Sequence, residues 1–437
     1  MLKVVKFGGS SLADAAQFKK VADIIAAEPE RRYVVPSAPG KRSKTDTKVT
    51  DMLYTCYEMA AKGENISEYF SEIEARYNGI IEGLGMDYSL NNEFEMIRNA
   101  FIHKAGRDYA ASRGEYLNGK ILARYLGFDF IDAAEVIFFN DNGQFDSERT
   151  NQVLSAELKK HEYAVIPGFY GSMPNDTIKT FSRGGSDITG SIVARAAECD
   201  LYENWTDVDG FLMADPRIID NPRPIAEITY RELRELSYMG AGVLHEDAIF
   251  PVRFAGIPIN IRNTNNPAAH GTLIVASSDK YDTGNVITGV AGKKGFSVLS
   301  VEKDMMNNEV GFGRRLLEVL ENNNICFEHL PSGIDNMSVI INTHDLEGHR
   351  DQIVNGICRQ VNPETIDIED GLALIAVVGR AMVKAKGTAA RVFKAISGAG
   401  INIRMIDQGS SEISIIVGVE ENDFEEAMKA IYQEFVY

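Results

Sequence analysis

Residues 4–14 read Val4-Val5-Lys6-Phe7-Gly8-Gly9-Ser10-Ser11-Leu12-Ala13-Asp14, and the remainder of the chain is organised around them. The apolar run Leu2–Phe7 has the character of a strand. It enters Gly8-Gly9-Ser10-Ser11, and apolar residues at helical spacing follow from Leu12 through Phe18, Val21, Ile24 and Ile25. A strand, a glycine turn and a helix N-terminus direct backbone N–H groups and the helix dipole onto an anion. Gly8 and Gly9 carry no Cβ, so main chain can approach a phosphate closely, and Lys6 adds a positive charge over the same spot. The GxxxxGK[ST] phosphate loop does not occur in the chain. Taken alone, these residues could equally be a plain strand-to-helix turn with a surface lysine.

A second turn of the same build weighs against the plain reading. Phe181-Ser182-Arg183-Gly184-Gly185-Ser186-Asp187 is again strand, Gly-Gly and helix start. Asp187 near a helix N-terminus is usually a cap, but it could instead orient Lys6 or hold a metal-bound nucleotide. Arg183 brings a planar guanidinium fork suited to a carboxylate or phosphate. Two anion-suited turns in one domain point to phosphoryl transfer from a nucleotide to a small acid. Such chemistry rests on positioning and charge neutralisation rather than on a covalent intermediate.

Composition narrows the field. The 437 residues suffice for two or three domains, with 44% apolar and 25% charged residues. A formal net charge of -18 opposes nucleic acid or an anionic membrane as the main partner. Cys56, Cys199, Cys326 and Cys358 lie far apart with no CxxC pair, which suits a reducing cytosol and opposes a disulfide framework or zinc site. No secretory leader and no run of 18 apolar residues is present, so the expected location is the cytoplasm.

Along the chain, Tyr33–Ala38 reads as a second buried strand, followed by a polar loop, 39–48, carrying Lys41, Arg42, Lys44 and Lys48. Residues 49–126 are helical in pattern and end in His103–Leu126, where Gly114 beside Glu115 hints at close approach by a ligand or another helix. Strand candidates at Phe128–Phe139, Tyr163–Tyr170 and Ile178–Phe181 then alternate with helices at Thr150–Lys160 and Asp187–Ala197. That alternation predicts an α/β fold with a mostly parallel sheet, whose ligands collect at the carboxyl ends of the strands. Asn204-Trp205-Thr206-Asp207-Val208-Asp209-Gly210, with Asp215-Pro216-Arg217 after it, is a third functional candidate. Strands at Pro258–Arg262 and Thr272–Ala276 close the region, and the glycine-rich stretch Thr283–Gly295 reads as the boundary.

An internal repeat fills the rest. Residues 314–341 and 390–417 align without a gap, Ile325 matching Ile401, Ser338 matching Ser414 and Ile340 matching Ile416. Each copy reads strand, helix, strand, strand, helix, a split βαβ sandwich. In the first copy the elements are Phe296–Val301, Gly311–Asn323, Ile325–Leu330, Ser338–Asn342 and Leu346–Gln360, closed by Glu364–Ile368. The second ends after its helix Phe424–Phe435, and Val286–Ala291 is expected to supply its missing strand, so that the first copy is inserted in the second.

Lys6–Ser11 (KFGGSS), Ser182–Asp187 (SRGGSD), Trp205–Gly210 (WTDVDG), Asp215–Arg217 (DPR) and the doubled module together resemble aspartate kinases of the amino-acid kinase family, of the lysine-sensitive monofunctional type, with tandem ACT domains. The resemblance covers essentially the whole chain. It implies a catalytic domain over 1–285, a linker and strand over 286–295, and ACT (ferredoxin-like) domains over 296–370 and 371–437. The implied reaction is MgATP phosphorylating the β-carboxylate of L-aspartate to 4-phospho-L-aspartate, at the head of lysine, threonine and methionine biosynthesis. No general base is needed, since the attacking carboxylate is already ionised. Carried over by position, Lys6 and Asp187 are catalytic; Ser37, Thr50, Glu115 and Arg183 bind aspartate, Glu115 taking its ammonium. Lys6, Gly8, Gly9, Ser10, Thr206, Asp207, Leu212, Arg217, Gly242 and Val243 bind nucleotide, and no resident metal site is implied. Met306, Asn308, Gly311, Phe312, Ser332, Gly333, Ile334, Asp335 and Ser338 resemble an effector pocket for L-lysine, with threonine also possible. A homodimer through the ACT region follows, with a tetramer an option.

Two departures stand out. The family reads GAKVLHP where this chain has Gly240-Ala241-Gly242-Val243-Leu244-His245-Glu246, so a nucleotide-contacting lysine is replaced by Gly242. The 39–48 loop is also longer and more basic than the family's. Two rival readings share the scaffold: an acetylglutamate or glutamate kinase, and a non-catalytic amino-acid sensor.

Overall fold

The computed structural model describes residues 1–182, 184–241, 250–278 and 286–436. These fall into two compact units, one centred on Met1–Phe211 with Pro224–Tyr230 and the chain up to Ser278, the other on Leu212–Arg223, 231–241 and 286–436.

Among the described residues, the first unit is built on ten strands: β1 Lys3–Phe7, β2 Arg31–Pro36, β3 Asp129–Phe130, β4 Ala164–Val165, β5 Tyr170–Ser172, β6 Ile178–Thr180, β7 Leu201–Thr206, β8 Glu227–Thr229, β9 Ile259–Asn263 and β10 Thr272–Val275. Eight of them form one sheet in the order β3-β4-β2-β1-β7-β9-β10-β8. The first six run parallel, and β10 turns antiparallel to β9 with β8 parallel beside it. Val4, Val5 and Phe7 are fully buried, as expected of a strand covered on both faces. Helices α1 Ala15–Ala26, α2 Val49–Ala61, α3 Ser67–Gly83, α4 Asn91–Ile102, α5 Arg107–Leu126, α6 Ala133–Val136, α7 Ser147–Leu158 and α8 Gly185–Ala196 complete this part, with α8 packed on β1, β2 and β7 and α5 on β2, β3 and β4.

A buried charge cluster fixes the middle of the sheet. Glu203, fully buried on β7, accepts from Arg31 Nε at 2.8 Å, Lys3 Nζ at 3.2 Å and Trp205 Nε1 at 2.9 Å. Burial pushes its carboxyl up, but Arg31 and Lys3, with the Trp205 hydrogen bond, outweigh burial and hold it below the ordinary glutamate value.

Several expected boundaries shift. Phe128–Phe139 is not one strand, because Asp132 accepts the Ala134 N–H and caps α6 after β3. Tyr163–Tyr170 splits at Pro167-Gly168 into β4 and β5, and β5 pairs with β6 in a separate hairpin. The helix expected from His103 starts at Arg107, after Gly106.

Helices α9 Tyr230–Tyr238 and α10 Phe250–Ala255 precede the second unit's sheet. That sheet has strands β11 Gly289–Glu302, β12 Asn336–Asn342, β13 Thr365–Val378, β14 Met405–Asp407 and β15 Ser414–Glu420, ordered β12-β11-β13-β15-β14. Its helices are α11 Phe312–Asn322, α12 Arg350–Val361, α13 Thr388–Gly398 and α14 Phe424–Val436. The first copy is inserted in the second, since Gly289–Lys293 pairs with the second half of β13 while Phe296–Glu302 pairs with its first half and with β12. The glycine-rich stretch expected to be a boundary is therefore in part strand, bulged where Gly295 takes φ 93°. Ile325–Leu330 forms no strand; the segment makes single-residue bridges at His329 and Ser332, and Pro331 between them has no N–H to donate. Among the described residues, no helix is long and apolar enough to cross a membrane.

Candidate active site

The chain leaves β1 with Gly8 N–H bonded to the Trp205 carbonyl at 3.0 Å, and turns through a single 3₁₀ turn, Gly9–Leu12. The α-helix starts only at Ala15, where Asp14 accepts from Gln17 N–H at 2.9 Å, so the amides of the glycine turn belong to the 3₁₀ turn and not to α1. The two glycines serve different ends. A Cβ on Gly9 would lie 3.0 Å from the Ala38 carbonyl and 3.2 Å from Gly40, so Gly9 lets two backbones touch. A Cβ on Gly8 would stand 3.7 Å from Lys6 Nζ, so its absence leaves room beside the ammonium. Ser10 is half-buried in the turn, whereas Ser11 is buried and hydrogen-bonded to Thr264 at 2.7 Å.

The second glycine turn delivers Asp187 to the same place. Gly184 takes φ 69°, a conformation that favours glycine, immediately before α8. Three residues past Asp187, Gly190 lets α8 lie directly on β7, since a Cβ there would collide with the hydroxyl of the buried Tyr202. Asp187 Oδ1 then sits 2.5 Å from Lys6 Nζ, with Lys6 7% exposed. Asn204 joins them, its Nδ2 donating to Asp187 Oδ1 at 2.8 Å. The sequence places Asn204 in the third candidate stretch without giving it a role; its one signal is a polar residue in an otherwise buried strand.

The substrate-side candidates gather around the start of the loop after β2. Ser37 donates its N–H to the Phe7 carbonyl at 3.0 Å, and its own carbonyl accepts from Asn118 Nδ2 at 2.6 Å. Gly114 explains itself: a Cβ there would lie 2.8 Å from Ala38 Cβ and 3.7 Å from Thr50 Oγ1, so α5 presses against both. Glu115 follows, 5% exposed, and its Oε2 is buried without a hydrogen-bond partner. Burial pushes its carboxyl up to about 8, against the lowering effect of the Ala38 amide and of Arg113. Asn118, one turn on, likewise has a buried Oδ1 without a partner, and was not singled out from sequence. Two orphan acceptors on one helix face are a fit for an ammonium, which brings three donors. Nearby in the chain fold, a cavity of about 630 Å³ is lined by Tyr54, Arg107, Phe139, Phe169, Lys179 and Ser182 among others. Arg183 lies outside the described residues.

Of the nucleotide-side candidates, Thr206 ends β7 and hydrogen-bonds the exposed Asp207 at 3.2 Å. In the second unit Leu212 is half-buried, and Arg217 is exposed with its guanidinium turned onto Asp215 of its own loop. Gly242 and Val243 lie outside the described residues. In the 39–48 loop, Asp46 binds Arg42 at 2.9 Å and Arg76 at 2.6 Å, and Arg76 also reaches the Gly40 carbonyl at 2.5 Å. That loop is stitched to α3, while Lys41, Lys44 and Lys48 remain exposed.

The expected effector residues divide in two. Met306 and Phe312 are packed in the first copy's core with Leu299, Leu316 and Val339, so their side chains serve the fold. The turns carrying the others are joined: Lys303 N–H meets the Asp335 carbonyl at 2.8 Å, Met305 N–H meets Asp335 Oδ1 at 2.8 Å, and Asn307 N–H meets the Ile334 carbonyl at 3.1 Å. Ser332, Gly333, Ile334 and Asp335 are exposed; Ser338 is half-buried, Asn308 flanks the turn and Gly311 precedes α11 with φ 79°. In the second copy the corresponding place is a cavity of about 440 Å³ lined by Met382, Gly387, Thr388, Gln408, Ser410 and Glu412 among others.

Comparison with known proteins decides the family. A model described as the amino acid kinase family matches residues 1–263, and an ACT-domain model matches residues 375–435. The chain belongs to the amino acid kinase family. Within that family it is 41% identical to Aspartokinase 3 of Bacillus subtilis (strain 168), across 99% of this chain and 98% of that one. The aspartate kinase of Clostridium acetobutylicum is 53% identical, with a TM-score of 0.93 over 99% of this chain and 100% of that one. E. coli aspartokinase III, solved in complex with lysine and aspartate in its T-state, is 25% identical with a TM-score of 0.74, both chains being covered at 100%. This amino acid kinase is accordingly an ATP-dependent phosphotransferase of the aspartate kinase type.

Proposed function

We propose that the chain transfers the γ-phosphoryl of MgATP to the β-carboxylate of L-aspartate, giving 4-phospho-L-aspartate, and that an end-product amino acid, L-lysine, inhibits it at the ACT modules. The observation that carries the reading is the Lys6–Asp187 pair, 2.5 Å apart, where a strand end and a helix start meet beside two glycine turns. The barrier in this reaction is repulsion between an ionised carboxylate and a triphosphate. Lys6 and the amides at Gly9 and Ser10 offset it, Gly8 leaves room for the nucleotide beside the ammonium, and Asp187 orients Lys6. Magnesium enters with the nucleotide as part of the substrate; a small hard cation keeps most of its contacts to phosphate oxygens and water. Glu115 takes the substrate ammonium, Arg183 its carboxylate, and Ser37 and Thr50 frame the pocket. Thr206, Asp207, Leu212, Arg217, Gly242 and Val243 take the nucleotide.

For regulation, the exposed Asp335 meets the effector ammonium, and Asn308, Gly311, Ser332, Gly333, Ile334 and Ser338 frame it, with threonine a second candidate effector. The sheet ends on both sides in short or partly paired strands, β12 and β14, and such edges support a homodimer through this region, or a tetramer. The protein is proposed to work in the cytoplasm.

Hydroxylamine trapping of acyl phosphate, formed from ATP, magnesium and aspartate, tests the reaction. Lys6→Ala should lower turnover by on the order of a thousandfold with the fold intact, and a near-wild-type rate would remove Lys6 from the mechanism. Product from glutamate or acetylglutamate but not aspartate would assign the chain to another kinase of the scaffold. Asp335→Ala should relieve lysine inhibition without changing the uninhibited rate. Retained inhibition would move the effector to the cavity of the second copy.

A further inference from the structure

The parallel register of β1 and β7 sets Lys6 directly beside Asn204, so their side chains leave the sheet on the same face. Asn204 is 3% exposed. Its Nδ2 donates to Asp187 Oδ1 at 2.8 Å, and its Oδ1 lies 3.5 Å from Lys6 Nζ. The amide orientation is fixed by its neighbours: an ionised aspartate only accepts and an ammonium only donates, so the NH₂ must face Asp187 and the carbonyl Lys6. Lys6 and Asn204 thus converge on one carboxylate oxygen.

From this geometry we infer that Asn204 is a positioning residue for phosphoryl transfer, holding the Asp187 carboxylate when the Lys6 ammonium turns from it to the nucleotide phosphates. The inference rests on the reading of Lys6 and Asp187 as the catalytic pair. When Lys6 swings toward phosphate, Asp187 loses much of its cationic partner, and a partly buried carboxylate left short of donors is costly. The Asn204 amide remains on it. Asp187 therefore keeps its place, Lys6 moves without dragging its partner along, and the carbonyl of Asn204 offers Lys6 a point of return. Asn204 itself touches no reacting atom in this scheme.

The test compares two near-isosteric variants. Asn204→Leu removes donor and acceptor, and Asn204→Asp keeps the shape but sets a second carboxylate against Asp187. A residue that merely fills its slot in β7 would tolerate isosteres of either polarity, whereas a positioning donor would not. The expected result is a kcat lowered ten- to a hundredfold in Asn204→Leu, at least as much in Asn204→Asp, with KM for aspartate within threefold of wild type. In an Asp187→Asn background the leucine change should add less than threefold, because the carboxylate charge that Asn204 is inferred to hold for Lys6 is already gone. A kcat within threefold of wild type in both variants, or a full additional loss in the Asp187→Asn background, overturns the inference. Asn204→Ala, smaller and likewise without donor or acceptor, carries the same comparison should the leucine variant fail to fold. Lys6→Ala and Asp187→Asn run alongside. If these two keep near-wild-type rates, the catalytic pair itself is refuted; if they lose activity while the Asn204 variants do not, only the role of Asn204 falls.

Discussion

Glu115 makes aspartate recognition dependent on pH in a calculable way. Its carboxyl is pushed up to about 8 by burial, so near pH 7 only about a tenth of the substrate-free enzyme carries the anion that an ammonium needs. Each unit below 8 lowers the competent fraction about tenfold, equivalent to about 1.4 kcal/mol. The aspartate KM should therefore rise on the order of twentyfold between pH 8.5 and pH 6.5, and binding at pH 7 should release close to one proton. Glu115→Gln keeps the shape and loses the charge. At pH 8.5 its KM should exceed wild type by about 10- to 100-fold, the worth of a hydrogen bond to a charged group. Toward pH 6.5 the two should converge, since wild-type Glu115 is then mostly neutral. Initial rates at saturating MgATP, with aspartate titrated across the range, measure this directly. A Glu115→Gln enzyme whose KM climbs with acidity as steeply as wild type would show that another group titrates. Stability gives an independent reading. A carboxyl whose folded value is raised contributes stability at low pH that is lost as pH rises toward 8, so the apo enzyme should melt lower across that interval and Glu115→Gln should not.

Two further perturbations address the scaffold. Gly190→Ala places a methyl where the Tyr202 hydroxyl lies; it should destabilise by about 1–3 kcal/mol and, by lifting α8, lower kcat at least tenfold, whereas an unchanged kcat in a folded variant would separate α8 placement from catalysis. Asp46→Asn weakens the tie among Arg42, Arg76 and the 39–48 loop and should lower stability at pH 7 by about 1.5–3 kcal/mol. Because the Arg42 hydrogen bond holds the Asp46 carboxyl well below its ordinary value, that stability is present above pH ~4 and lost on acidification, so melting curves of variant and wild type should converge in acid.

The sequence announced the two Gly-Gly turns and the repeat because glycine pairs and strand periodicity are local signals. Lys6 and Asp187 could be joined on paper, since one precedes the first turn and the other follows the second, and the structure sets them 2.5 Å apart. Glu115 was visible beside a costly mid-helix glycine, and the contact of Gly114 with Ala38 supplies the reason for that glycine. What stayed hidden depends on partners remote in sequence. Asn204 looks like any polar residue in a strand until parallel register sets it beside Lys6. The α1 start was misplaced because Leu12 continues the apolar spacing, while Asp14 takes the cap. Met306 and Phe312 match an effector pattern by position, yet the repeat's own core claims both.

The two 14-residue strands β11 and β13 run, with one bulged stretch in β11, through both copies. Gly289–Lys293 finds its partners at Leu374–Val378 only after the whole first copy has been threaded between them. Closing that pairing means closing a long loop, so this sheet should form slowly and as one cooperative event. Neither copy has a cut point at which it could be excised whole. A chain that stops after the first copy leaves half of β11 without its ladder, an open edge prone to pairing with other chains. Duplication therefore gave the second unit a shared backbone rather than two separable parts, and ribosomal synthesis must reach the far end of β13 before the ladder of β11 is complete.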